Sequence, residues 1–238
     1  MNSEIRVDAP NGVLQISEYT AAGLDEKAPK SIVINGTLGA PHQFLIGKKS
    51  LFEDTAIHLL ISKSEGKLSL KLNDSDPYQT HEIGGLLSKD KVLQSFKINT
   101  DYRWTVNELI KFLRTMRYYF SDSDDHKKMI ESLQKWTAKV ETVIKNHQDT
   151  SGNSLVMLEK RVGEIELIRS FNLTIPIFQG YEKKKFRVEI GFDPKNTTVD
   201  LYLISDELFE LEIQFREQLI DAEVAKFDDY AFSKVVVS

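Results

Sequence analysis

Alternation of apolar and polar side chains between residues 171 and 203 places the strongest constraint on the fold of this chain. Three segments show it, separated by short stretches rich in turn-forming residues: Phe171–Ile177, Phe186–Phe192 and Val199–Leu203. A period of two residues is that of a strand with one buried face and one solvated face. Because the connections are short, we expect the three strands to form an antiparallel meander. Pro176 favours an edge position or a bulge in the first strand.

A second strand-rich region precedes residue 100. Thr55–Ser62 and Lys67–Leu72 flank a Lys-Ser-Glu-Gly turn, and leucines alternate with polar residues in the second arm, so the pair is predicted to form a hairpin. The pair Gly84-Gly85 predicts an irregular point after it. Two more strand-like runs lie next to Asn-Gly turns: Val13–Ile16 and Ser31–Ile34.

The middle of the chain is predicted to be helical. Thr105 and Glu108 have the three-residue spacing of a capping box, and an apolar stripe follows them as far as Phe120. A second helix is predicted from about His126 to His147, after acidic residues that suit a helix N-terminus. Its apolar stripe is wide, which favours packing in the core and leaves a dimer seam as the alternative.

The segments after residue 150 return to strand and then to helix. Leu155–Leu158 and Ile165–Ile168 are short apolar runs that suggest strands. Leu208–Ala222 fits the periodicity of either a strand or a helix. Helix is favoured because Ser205 and Asp206 can cap it and because Glu, Leu and Gln have good helix propensity. The tail, Ala231–Val237, ends in three valines and predicts a strand that joins its own sheet or a neighbour's.

The order of these elements predicts an α+β fold with antiparallel sheets, two central helices and a C-terminal helix. The chain has 238 residues, of which 41% are apolar, and this is enough to bury a substantial core. We expect one α+β domain over residues 1–238. Within it we distinguish an N-terminal β subregion (1–100), a helical pair (105–148), and a C-terminal β-meander with its helix (153–238).

The sequence lacks the residue patterns of the common catalytic and metal sites. It contains no Cys, which excludes disulfides, thiolate metal sites and a Cys nucleophile. No phosphate-binding loop, nucleophile elbow or zinc-protease motif occurs, and the five His have no metal-ligand spacing. His81 beside Glu82 is the one local pair that suggests a general base. We therefore predict a non-enzymatic protein with no catalytic residue, metal or cofactor.

The sequence also bears on the compartment. The N-terminal residues lack the basic start and apolar stretch of a signal peptide, and no run of 18 apolar residues occurs. The expected location is the cytoplasm, with no membrane partner.

Basic residues lie beside aromatic residues in two places, a combination that suits single-stranded nucleic acid. One is a predicted hairpin tip near residue 183, and the other is the end of the first central helix. The candidate binding residues are Tyr181, Lys183, Lys184, Lys185, Arg187, Arg114, Arg117 and Tyr118. Because the net charge is −5, any such surface must be local. The alternative is a solvated hairpin tip and the polar end of an amphipathic helix.

Several segments together resemble the YfdQ-like family of uncharacterised phage and prophage proteins. The most specific part lies in Ser170–Gly180, where FNLTIPIFQG is similar to the family pattern F-x-L-x-I-P-x-F-x-G. The resemblance extends over about residues 40–225 and departs from the family at Leu72–Asp74, where the family has Asp-Tyr-His. It implies a phage or prophage gene product and supplies no chemistry. Its other parts are Phe52–Leu72, His81, Tyr102–Leu113 and Phe186–Leu203.

The expected function is that of a phage- or prophage-encoded accessory protein that acts as a homo-oligomer and assists viral DNA replication or recombination. The expected partners are a second copy and single-stranded nucleic acid, in the host cytoplasm. One alternative is a self-assembling shell or scaffold protein, in which strand edges at Pro176 and Val235–Val237 join subunits. A further alternative is a host-defence antagonist.

Overall fold

The computed structural model describes residues 3–8, 15–20, 32–48, 56–73, 80–148, 162–194 and 198–237. Within these ranges the chain has an α+β fold with a two-stranded, a five-stranded and a four-stranded sheet. The strands are β1 Ser3–Asp8, β2 Gln15–Thr20, β3 Ile32–Thr37, β4 Ile57–Ser62, β5 Lys67–Leu72, β6 His81–Leu86, β7 Trp104–Thr105, β8 Ser170–Pro176, β9 Lys183–Pro194, β10 Val199–Ile204 and β11 Ser233–Val236. The helices are α1 Ala40–Lys48, α2 Lys91–Ser95, α3 Val106–Thr115, α4 Ser123–Gln148 and α5 Asp206–Ala225, with a 3-10 turn at Arg117–Tyr119.

The five-stranded sheet has the order β11-β4-β5-β6-β3. The predicted hairpin is confirmed as β4–β5, and β6 continues it in antiparallel fashion. The two outer strands are parallel to their neighbours, so the sheet is mixed, whereas the sequence predicted antiparallel pairing. The C-terminal tail adds to its own sheet, because Val235 lies beside Leu60 of β4.

Gly84 and Gly85 lie inside β6, so the predicted irregular point is wrong. The glycine at position 85 permits a close approach of the chain that leads into α1. A Cβ atom there would lie 2.6 Å from the carbonyl oxygen of Leu38 and 2.7 Å from Cδ of Pro41. Glycine here serves packing across the sheet and not a turn.

The four-stranded sheet has the order β7-β10-β9-β8, and all its pairs are antiparallel. The predicted meander is confirmed. Pro176 lies in the outer strand β8, as its missing N–H predicted. Part of that edge is covered, because Phe120 forms a bridge with Leu173 and the N–H of Ser121 donates to the carbonyl of Asn172. One face of the sheet is buried, and the other faces solvent.

The two central helices are present. Thr105 and Glu108 form the predicted capping box at the start of α3. Helix α4 begins at Ser123, earlier than predicted, because the Asp122 carboxylate accepts from the N–H of Asp124 at 2.6 Å. Its apolar stripe packs in the core, as favoured, through Met129, Ile130, Leu133, Trp136 and Val140.

Two of the remaining predictions have definite outcomes. Leu208–Ala222 is helical, as favoured, within α5, and Ser205 caps it. Ile165–Ile168 is not a strand: it follows a short turn, and the N–H of Ile168 donates to the Ser132 hydroxyl of α4. That side-chain bond takes the place of a strand partner. Leu155–Leu158 lies outside the described residues. Of the predicted strand Val13–Ile16, the first two residues lie outside them and the last two belong to β2.

Helix α5 joins the two larger sheets. Near its middle, Phe215 contacts the rings of Phe178 and Tyr181 after β8. Further along, Asp221 forms an ion pair of 2.7 Å with Lys63 in the β4–β5 turn. The core is therefore continuous from one sheet to the other.

Candidate nucleic-acid interface

A row of cations lies on the solvent-facing side of the four-stranded sheet. Lys183, Lys185 and Arg187 of β9 are exposed and alternate with the buried side chains of Phe186 and Val188. Alternate residues of a strand lie about 7 Å apart on the same face. The strand therefore presents three positive charges in line.

The neighbouring strand adds neutral polar groups beside this row. Thr174 of β8 is the cross-strand partner of Lys185, and Asn172 is the partner of Arg187. Both side chains are half-buried and belong to the same face of the sheet. The strand pair thus combines positive charge with hydrogen-bonding groups.

Two tyrosines from the 3-10 turn lie at the start of the row. The Lys183 ammonium is 4.1 Å from the ring centroid of Tyr118 and 5.7 Å from that of Tyr119. Such cation–π contacts stabilise exposed rings by about 0.5–1 kcal/mol. Tyr118 nevertheless remains 77% exposed, which leaves its ring accessible to a stacking partner.

A second cation–aromatic pair lies at the other end of the same face. The Arg103 guanidinium is 4.7 Å from the ring centroid of Tyr202 in β10. The ring of Tyr202 extends over Gly191 of β9, where a Cβ atom would collide with it. This pair is not among the predicted binding residues, although the two-residue period of β10 puts position 202 on the solvated face.

Lysines of α4 lie next to the sheet, in two grooves that Asp125, Glu131 and Glu166 also line. A groove of about 280 Å³ is lined by Arg187 and Asn172 of the sheet and by Lys128 of α4. An adjacent groove of about 260 Å³ shares Lys128 and adds Lys135 and Lys139. Their spacing of seven and four residues indicated one helical face, but only the fold brings that face next to β9.

Two of the predicted binding residues lie elsewhere. Lys184 points to the opposite face from its neighbours, where its ammonium is 4.5 Å from the Phe215 ring and pairs with Glu182. Tyr181 is half-buried against Phe215, and burial raises the pKa of its phenol. The predicted hairpin tip is also wrong, because residues 183–185 pair with residues 174–176 inside the β8–β9 ladder. The ladder with β8 begins at Lys183, so all three lysines are strand residues.

The other predicted basic residues lie near the tyrosines. Arg114 is exposed in the last turn of α3. Arg117 is exposed in the 3-10 turn, where its guanidinium donates to the Ser123 hydroxyl at 2.9 Å. Strand β9 and the 3-10 turn together place Tyr118, Lys183, Lys185 and Arg187 on one surface.

Acidic residues limit the basic surface. Glu189 lies 3.3 Å from the Arg187 guanidinium, and Asp193 lies 3.8 Å from that of Arg103. Both belong to the solvent-facing side of β9 beyond Arg187. Glu207 also accepts from the backbone N–H of Arg187 at 2.7 Å. The net positive part is thus the start of the row, at Lys183 and Lys185 beside the tyrosine turn.

Elsewhere in the part of the chain that the structure describes, no comparable arrangement occurs. His81 and Glu82 are successive residues of β6, so their side chains point to opposite faces of the sheet. No cluster of His, Cys, Asp and Glu suited to a metal ion occurs among the described residues. Within the same ranges, no helix has the length and apolar character needed to cross a membrane.

Comparisons with known proteins yield one distant similarity. No family model matches the chain, and no solved structure matches it. The trigger factor of Mycoplasma mobile is 21% identical over 206 residues, which cover 82% of this chain and 40% of that protein. The chain thus spans less than half the length of this relative. The resemblance to YfdQ-like proteins stays a prediction.

Proposed function

We propose that this chain is a non-enzymatic accessory protein that binds single-stranded nucleic acid on the solvent-facing side of its four-stranded sheet. The observation that carries the proposal is the row of Lys183, Lys185 and Arg187 that leads to the exposed ring of Tyr118. Cations in line suit a phosphate backbone, and an accessible aromatic ring suits an unstacked base.

The exposed ring of Tyr118 favours a single strand over a duplex. The bases of a duplex are stacked on one another, so an exposed tyrosine ring cannot stack on them without opening the helix. A single strand offers its base faces freely, and stacking on an aromatic ring tolerates any base. We therefore expect binding with little sequence preference.

The biological setting follows from the sequence resemblance alone. If the chain is a YfdQ-like protein, the bound strand is phage or prophage DNA during replication or recombination. The proposal includes self-association, since accessory proteins of this kind gain affinity by binding one strand at several points.

Binding is tested by fluorescence anisotropy with a labelled oligothymidine at increasing salt. Three phosphate contacts give a slope of about −2 in log K against log salt, so affinity should fall about 20-fold between about 50 and 200 mM salt. Absence of binding at the lowest salt concentration would contradict the proposal.

Substitutions test whether the nucleic acid binds at the proposed surface. The double substitution Lys185→Glu and Arg187→Glu should abolish binding, and Tyr118→Ala should weaken it by about tenfold through lost stacking. The control is Lys48→Glu with Lys71→Glu, which changes the net charge equally at exposed positions of α1 and β5. If both double variants lose the same affinity, only net charge matters and the proposed surface is wrong.

A further inference from the structure

The five-stranded sheet has two apolar edges. Neither β3 nor β11 has a strand on its outer side among the residues that the structure describes. Their exposed large hydrophobic side chains, with that of Val237 just after β11, are all β-branched: Ile32 (52%), Val33 (57%), Ile34 (43%), Val235 (44%), Val236 (68%) and Val237 (45%). Strand β3 contains no charge and no proline, the features that usually protect an edge from pairing.

The outward hydrogen-bonding groups of both edges can be assigned. The N–H of Ile32 donates to Thr80 before β6, so Ile32 and Ile34 bond inward and Val33 and Asn35 present their groups outward. At the other edge, the N–H of Val237 donates to Ile61 of β4. Val235 therefore also bonds inward, and its neighbours in β11 present their groups outward.

The two edges are complementary in direction. Strand β3 is parallel to β6, and β11 is parallel to β4. Strands β4 and β6 run the same way, because each is antiparallel to β5. Consequently β3 and β11 also run the same way, and one copy's β11 can lie parallel to another copy's β3.

A register with Val235 opposite Val33 satisfies both strands. The outward groups of Val33 then lie between those of Lys234 and Val236, as a parallel ladder requires. In this register Val236 lies opposite Ile34, and both belong to the buried face of their own sheets, beside Ile61 and Ile83. The Lys234 ammonium is held by Asp228 of the same chain.

We propose that copies of this chain associate head to tail, with β11 of one copy added beside β3 of the next. The partner of each edge is a second copy, because each chain carries both halves of the contact. The half at β3 has no charged residue, and the one charged residue of β11, Lys234, is already paired. This contact does not involve the proposed nucleic-acid surface. A head-to-tail contact forms a ring or a filament. It joins only about five residues a side, against about 20–30 in a standard interface, so association is weak and concentration-dependent.

Engineered cysteines test the contact, because the chain has none of its own. The variants are Val33→Cys and Val235→Cys, with Ile46→Cys on α1 as an equally exposed control. A short bifunctional thiol reagent should join a mixture of the first two variants into dimers, since paired strands lie about 5 Å apart. Either variant alone should give no more dimer than the control.

Three results would overturn the proposal. The first is that a mixture of Val33→Cys and Val235→Cys gives no more dimer than a mixture in which Ile46→Cys replaces one of them. The second is a Val33→Cys variant that forms dimers by itself, which indicates β3–β3 pairing. The third comes from sedimentation across a concentration series, without engineered cysteines. There Val33→Lys should abolish self-association and Ile46→Lys should not. The same degree of self-association in both variants contradicts the contact.

Discussion

Ser205 joins helix α5 to the strand that carries the basic row. Its hydroxyl accepts from the N–H of Leu208 at 3.1 Å and donates to the carbonyl of Arg187 in β9. The residue is 2% exposed, so water does not replace these partners readily. Ser205→Ala therefore removes a helix cap and leaves a strand carbonyl without its partner.

The two losses can be added. Removal of an N-cap hydroxyl costs about 1 kcal/mol, and loss of one hydrogen bond to a carbonyl in a buried setting costs about 1 kcal/mol more. We expect the free energy of unfolding to fall by about 2 kcal/mol. For a chain of this size, that corresponds to a decrease in Tm of about 4–8 °C.

The assay is urea unfolding followed by tryptophan fluorescence. Ser205→Thr retains the hydroxyl and should lie close to the wild type. Ser95→Ala is the matched control, because the Ser95 hydroxyl donates only to the Val92 carbonyl within its own helix α2. A Ser205→Ala variant that loses no more stability than Ser95→Ala would refute the reasoning.

Two further predictions concern pH and glycine. The backbone N–H and then the hydroxyl of Thr105 lower the pKa of Glu108, so its stabilising contribution is present above the unfolded-state pKa of about 4.3 and is lost as pH falls through the lower folded-state value. Urea unfolding at several pH values should show Glu108→Gln least stable relative to wild type near neutrality and converging on it in acid; a constant difference contradicts this. Gly85→Ala should cost about 1–3 kcal/mol by collision with the chain before α1. Gly47→Ala, which has open space in α1, should gain about 0.5–1 kcal/mol, and thermal unfolding that ranks the two in reverse would be inconsistent with the packing described.

Local sequence signals were sufficient where the physical cause is local. The Thr105–Glu108 capping box depends on atoms three residues apart, and the meander depends on alternation within each strand. Both were predicted correctly. Ile165–Ile168 was not, because an apolar run says nothing about whether a strand partner is available.

The candidate site was predictable in part. The sequence identified the lysines and Tyr118, but it treated residues 183–185 as one basic tip. In a strand, successive side chains diverge, and this sends Lys184 to Phe215 while Lys183 and Lys185 face solvent. Arg103 and the α4 lysines lie far from β9 in sequence, so no local pattern could have grouped them with it. Tyr202 belongs to the next strand of the predicted meander.

The sequence by itself determined the elements that have a clear period or cap, such as the meander strands and α3, because periodicity and capping act within a few residues. Only the tertiary structure decided which strands that are not consecutive in the chain are neighbours. Val235 pairs beside Leu60 and Ile34 beside Ile83, contacts between segments far apart in the chain. A two-residue period is the same for a parallel, an antiparallel, an edge or a central strand. The parallel direction of the edge strands β3 and β11 therefore follows only from the path of the chain between the strands of the sheet.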